Sequence, residues 1–162
     1  MATEHEADEP RSQYTKVAPE ASRAYSSLGK YLSTCGLENR LLQLVYLRAS
    51  MVNGCAYCMQ MHSQEALEGG ERVERLFQLE AWRESPVFSV RERAALAWTD
   101  ALTLIREGHV PDEVFDQARS QFSDKELVDL SWAVTYINGW NRMSIAFRGQ
   151  PEVPDDLVTH RI

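Results

Sequence analysis

Apolar residues recur along the chain at helical spacing, three and four positions apart, and no stretch of useful length alternates with a period of two. From Pro19 onward, Tyr25, Leu28 and Leu32 mark one face of a helix that ends near Cys35-Gly36. Leu41, Leu44, Val45, Leu47 and Val52 mark a second, from Leu37 to Val52, which stops at the turn pair Asn53-Gly54. A third starts at or just before Cys55, runs to Glu68 and ends at Gly69-Gly70, the usual setting of a left-handed cap. Glu71 to Glu84 reads as a fourth, carrying Val73, Leu76, Phe77, Leu79 and Trp82, with Pro86 just past its end. Ser89 with Glu92 makes a capping-box pattern that opens a fifth helix, Val90 to Glu107, whose stripe passes through Ala94, Ala97, Trp98, Ala101, Leu102 and Ile105. Pro111 begins a shorter sixth helix to about Gln121, and a second capping box, Ser123 with Glu126, opens a long seventh through Arg148. The pattern predicts an all-α fold of about six to seven helices in one domain over 19–162, preceded by a tail, 1–18. In that tail Glu4, Glu6, Asp8 and Glu9 leave too little apolar surface to offset ordering, so it is expected to be disordered or draped on a partner.

Length and charge narrow the functional classes. A chain of 162 residues buries a real core without staples. Seventeen basic against twenty-four acidic residues give a net charge of −7, which argues against nucleic acid or an anionic membrane surface as the main partner. The acidic start lacks the pattern of a secretory signal, and Gln43, Arg48, Asp100 and Arg106 interrupt the most apolar segments before they reach the length of a membrane span. The expected location is therefore the cytoplasm, where a C-x-x-C pair serves as a reversible redox couple or a metal site rather than a structural bridge. The odd count of helices and the apolar surplus point to burial against another subunit.

The stretch Asn53 to His62 gathers two of the three cysteines and one of the four histidines. On a helix beginning at Cys55, the side chains of Cys55, Cys58 and His62 fall at i, i+3 and i+7 and share one face. Residues three apart have Cα atoms about 5–5.5 Å apart, within the range a disulfide tolerates. A thiolate there can attack a peroxide and become a sulfenic acid, which the second thiol resolves to a disulfide. His62, one turn beyond Cys58, is placed to accept the Cys58 proton and return it to the departing oxygen, which makes Cys58 the attacking thiol and Cys55 the resolving one. Helix-end electrostatics point the other way, because Cys55 lies nearer the positive terminus. Cys55, read as the more exposed sulfur, would meet an incoming reductant.

Other residues carry weaker signals. Two cysteines and a histidine are zinc-ligand types, but ligands on a single helix do not surround a tetrahedral ion and no fourth is evident, so neither metal nor organic cofactor is expected. Cys35 has nothing titratable beside it and reads as a plain thiol, while Tyr57 and Met59 read as packing or rim. Asn138, Trp140, Asn141 and Arg142 form a polar cluster in an otherwise apolar helix, for which a helix or subunit contact and a substrate role both stay open.

The run Leu44 to His62, LVYLRASMVNGCAYCMQMH, with ERAALAWTDALT over Glu92–Thr103 and INGWNR over Ile137–Arg142, resembles alkylhydroperoxidase D-like proteins of the carboxymuconolactone decarboxylase superfamily. The similarity spans roughly residues 20–148. It implies an all-α fold assembled into homotrimers or homohexamers, and a peroxidase whose two cysteines cycle between dithiol and disulfide. It also implies an external dithiol reductant, a lipoylated or thioredoxin-like protein. The peroxidase-type motif carries a relay glutamate twelve residues before the first cysteine, where this chain has Gln43, which cannot take up a proton. Glu38 and Glu65 are the carboxylates that could stand in, should the fold bring one to His62. The alternatives are a cofactorless decarboxylase or isomerase of the same superfamily, which leaves the cysteine pair unexplained, and a non-enzymatic redox-sensing oligomer.

Overall fold

The computed structural model describes residues 10–152 and 154. Among these residues there are eight helices and no strand: α1 (Tyr14–Val17), α2 (Pro19–Leu32), α3 (Asn39–Asn53), α4 (Ala56–Glu68), α5 (Val73–Phe77), α6 (Val90–Thr103), α7 (Asp112–Arg119) and α8 (Asp124–Ala146). Local capping chemistry sets several of these boundaries. The Ser89 side chain accepts from the Glu92 N–H while the Glu92 carboxylate accepts from the Ser89 N–H at 2.7 Å, and Ser123 with Glu126 repeats the arrangement. Such a cap contributes about 0.5–2 kcal/mol.

The centre of the fold is α3, which packs against α4, α6 and α8. Leu41, Leu42 and every residue from Leu44 to Ser50 are buried, so this helix is enclosed on all sides rather than along one stripe. Its partner α6 buries Ala94 through Asp100 without a break, and the small alanines bring the two backbones close. One apolar cluster joins Leu42, Val45, Ala95, Trp98, Leu130 and Ile137. A second joins Leu44, Leu47, Leu79, Trp82, Phe88 and Leu96.

Arg48 and Asp100, which interrupt the apolar pattern of α3 and α6, meet in the core. The Arg48 guanidinium donates to both Asp100 oxygens, at 2.7 and 3.2 Å, and Trp82 Nε1 donates to the same carboxylate at 3.2 Å. Two charges that would each be costly to bury alone satisfy one another. No helix of the described residues is long and apolar enough to cross a membrane.

Three elements differ from the expectation. Helix α5 ends at Phe77 instead of Glu84, although Leu76, Leu79 and Trp82 are buried at the anticipated spacing. The Arg93 guanidinium takes the carbonyls of Trp82 and Ser85 at 2.9 and 2.8 Å, and that of Arg83, so a side chain from α6 holds backbone groups beyond the end of α5. Helix α6 ends at Thr103 rather than Glu107, and Ile105, placed on the apolar stripe, is 45% exposed. Of the anticipated tail, residues 1–9 lie outside the described residues, while α1 rests on the end of α8. Arg11 donates its N–H to the Phe147 carbonyl at 3.0 Å, and the Tyr14 ring lies 5.4 Å from that of Phe147.

Candidate active site

The site is built where α3 hands the chain to α4. Gly54 follows α3 in the left-handed region (φ 68°), and its N–H bonds back to the Met51 carbonyl at 3.0 Å while the Cys55 N–H bonds to the Ser50 carbonyl at 3.0 Å. This pair of bonds is a Schellman cap, whose left-handed position suits glycine because it has no Cβ to clash. The Cys55 carbonyl then accepts from the Met59 N–H at 2.9 Å, which makes Cys55 the N-cap of α4. The helix therefore starts one residue later than expected. Cys55 is extended (φ −87°, ψ 93°) and lies outside the helix, whereas Cys58 is the third residue inside it, among the unpaired N–H groups of the first turn.

This one-residue shift resolves the conflict between helix-end electrostatics and proton acceptance, because both now favour Cys58. The Cys55 Sγ donates to the Cys58 Sγ at 2.7 Å, and both thiols are free. That hydrogen bond is the main reason the Cys58 thiol is pulled down to about 6; hydrogen bonds to Asn141 and Ser144 and the nearness of His62 add to it, against the opposing effect of burial. Holding the proton that Cys58 needs, and buried itself, Cys55 is pushed far above its ordinary value. The expectation that Cys55 is the more exposed sulfur fails: Cys55 is 2% and Cys58 1% exposed, since the end of α8 lies against both.

His62 is buried one turn beyond Cys58, its ring 5.2 Å from that of Tyr46. Its Nδ1 lies 2.9 Å from Glu65 Oε2, while its Nε2 is buried without a hydrogen-bond partner among the described residues. Of the two carboxylates that could stand in for a relay glutamate, the fold brings Glu65 to the histidine. Glu38 is instead paired with Arg91 at 3.0 Å. The Gln43 side chain lies beside the Glu65 carboxylate, and its own Oε1 is buried without a hydrogen-bond partner among the described residues. Glu65 is held below the usual carboxylate range, first by the His62 hydrogen bond and also by the one from Gln43.

The polar cluster on α8 divides by helical face. Asn138 and Asn141 turn inward: Asn53 Nδ2 donates to Asn138 Oδ1 at 3.0 Å and Asn141 Oδ1 at 2.9 Å, and Asn141 Nδ2 donates to Ser50 Oγ at 3.0 Å. Ser144, one further step along the same face, sits close enough to both sulfurs to lower each thiol and lies 3.4 Å from the Tyr14 hydroxyl. Arg142 donates to Asn138 Oδ1 at 2.8 Å. Trp140 faces away from the thiols and packs edge-on against Tyr25 at 5.2 Å. With Tyr14, Val17, Met143 and Phe147 it lines an apolar cavity of about 610 Å³ beside the end of α1. Tyr57 stands at the rim, 36% exposed.

Sequence reasoning missed Ser50, Asn53, Ser144 and Tyr14. The i, i+3, i+6 spacing of Asn138, Asn141 and Ser144 marks one helical face and was the available signal. Among the described residues, no group of three or more His, Cys, Asp or Glu side chains is arranged to hold a metal ion.

Comparison with known proteins bears on the same segment. The sequence model of the carboxymuconolactone decarboxylase family matches residues 19–101. The uncharacterized protein YdfG of Bacillus subtilis is 36% identical over 136 residues, covering 84% of this chain and 92% of its own. A crystal structure from Agrobacterium tumefaciens, of a protein of unknown function described as a candidate antioxidant defence protein AhpD, superposes with a TM-score of 0.88 at 42% identity, over 90% of this chain and all (100%) of that one. The debrominase Bmp8 shares the fold, with a TM-score of 0.75 at 20% identity over 86% of this chain and 75% of its own. The chain thus belongs to the carboxymuconolactone decarboxylase family, on its alkylhydroperoxidase D-like branch.

Proposed function

We propose that the protein is a thiol-dependent hydroperoxidase in which Cys58 attacks, Cys55 resolves and His62 moves the proton. The observation that carries this reading is the pair of sulfurs 2.7 Å apart, with Cys58 pulled down to about 6 and Cys55 raised. The Agrobacterium relative's description as a candidate antioxidant protein supports it.

The Cys58 thiolate attacks the outer oxygen of the hydroperoxide, the O–O bond breaks, and the leaving alkoxide takes a proton from His62 to depart as an alcohol. Cys58 is oxidised to the sulfenic acid. The Cys55 sulfur then displaces its oxygen as water, forming the disulfide. An external dithiol, such as a lipoylated or thioredoxin-like protein, reduces that bridge and is itself oxidised. The working form in this proposal is a cytoplasmic homotrimer or homohexamer. A decarboxylase reading leaves the unequal thiols without a task.

The test is a single turnover of fully reduced protein with tert-butyl hydroperoxide, counting thiols before and after and locating the new bridge by peptide mapping. Stoichiometric loss of peroxide with a Cys55–Cys58 disulfide, formed faster than in a free dithiol, is the expected result. A bridge that forms no faster than in the free dithiol rules peroxide out as the substrate.

A further inference from the structure

Position 43 carries an amide where the peroxidase-type motif has a carboxylate, yet a carboxylate still reaches the histidine. Glu65 comes from the same helix as His62, three residues on, so α4 itself sets the two side chains next to one another. Its Oε2 is 2.9 Å from His62 Nδ1, and the Gln43 side chain approaches the same carboxylate from α3. The carboxylate beside the histidine thus comes from α4 and the amide from α3.

The consequence lies in which ring nitrogen carries the proton. An ionised carboxylate only accepts hydrogen bonds, so the nitrogen facing it must be N–H. With Nδ1 protonated, the lone pair of the neutral ring is on Nε2. That atom is buried and lacks a hydrogen-bond partner among the described residues, while the ring's other near neighbour, Tyr46, touches it by ring contact. Glu65 is itself 45% exposed at its side chain, so the inner end of the pair is dry and the outer end is wet. Glu38, the other candidate, is held by Arg91.

We infer that Glu65 is a positioning residue, which fixes His62 with Nδ1 protonated and leaves Nε2 as the atom that exchanges a proton with Cys58. This rests on the peroxidase reading only for the identity of the reaction served; the tautomer is a property of the resting protein. In the reaction, Nε2 takes the proton of the Cys58 thiol and gives the same proton to the departing alkoxide, and no net charge is left on the ring. The Gln43 amide keeps the Glu65 carboxylate in line. Because the carboxylate is already supplied, adding a second at position 43 in the native background is expected to crowd two negative charges and gain nothing.

The experiment combines nitrogen NMR of histidine-labelled protein with single-turnover oxidation by tert-butyl hydroperoxide. His62 is assigned by comparison with His62→Gln. The native protein is expected to show the Nδ1–H tautomer, and Glu65→Gln to lose that preference and to slow oxidation by about tenfold or more, since a correctly placed acid–base group contributes ~10²–10⁴ in rate. The double variant Gln43→Glu/Glu65→Gln, which returns a carboxylate from α3, is expected to recover most of the rate. A Glu65 that merely stabilised α4 would not be rescued from another helix. An Nε2–H tautomer in the native protein, or a Glu65→Gln variant with unchanged tautomer and rate, overturns the inference. If the tautomer is as stated but native protein oxidises no faster than a free dithiol, the peroxidase reading fails and the hold of Glu65 on His62 stands.

Discussion

At Cys58 the hydrogen bonds from Cys55, Asn141 and Ser144 and the nearness of His62 together outweigh burial, and the donated Cys55 S–H is the largest of them. Its removal has a direct readout. Reduced native protein should develop one thiolate as the pH rises through about 6, and in Cys55→Ala that midpoint should move upward toward the ordinary thiol value. Thiolate absorbance against pH measures both, and an unmoved midpoint would mean that α8 and His62 hold the charge without Cys55. How legible this was varies residue by residue. The i, i+3, i+7 spacing of Cys55, Cys58 and His62 is written in the chain. The hierarchy of the two thiols is not, because it depends on where the helix begins to within one residue. Glu65 was visible as a neighbour of His62 on its own helix, whereas Ser144 reaches the sulfurs across the fold.

At the scale of elements, helix ends set by local chemistry were readable and those set by distant side chains were not. Gly54, the two capping boxes and the start of α2 at Pro19 fall where the sequence puts them. The early end of α5 depends on Arg93, which comes from the following helix, and α1 exists against α8 rather than by its own four residues. The seating of α2 on α8 was likewise hidden, because it works through glycine. Tyr25 passes over Gly139, where a methyl group would overlap its hydroxyl, and donates to the Thr135 and Tyr136 carbonyls at 3.1 and 2.9 Å. Helix propensity alone would favour Gly139→Ala by about 1 kcal/mol. The overlap is expected to reverse that sign and cost about 1–3 kcal/mol, as overpacking does. Urea unfolding decides between the two: a raised midpoint would show that Tyr25 yields without loss.

For the molecule as a whole, the all-helical fold followed from periodicity, while the reason for its charged interior did not. Arg48 and Asp100 look like interruptions along their own segments, and only the packing of α3 on α6 turns them into partners. Asp100→Ala leaves a guanidinium 8% exposed with Glu80 as its remaining ion-pair partner, and should cost about 3–5 kcal/mol in chemical denaturation. A loss below 1 kcal/mol, the scale of an exposed pair, would show that water reaches the pair.

The handover between α3 and α4 bears on how such a molecule could communicate its redox history. The peptide N–H of Cys55 is spent on one helix and its carbonyl on the next, so the residue is pinned at both ends. With the two sulfurs already 2.7 Å apart, closing a bridge there asks little of the backbone. Both sulfurs are buried, so a recycling partner reaches the bridge only where the packing above the thiols parts for it.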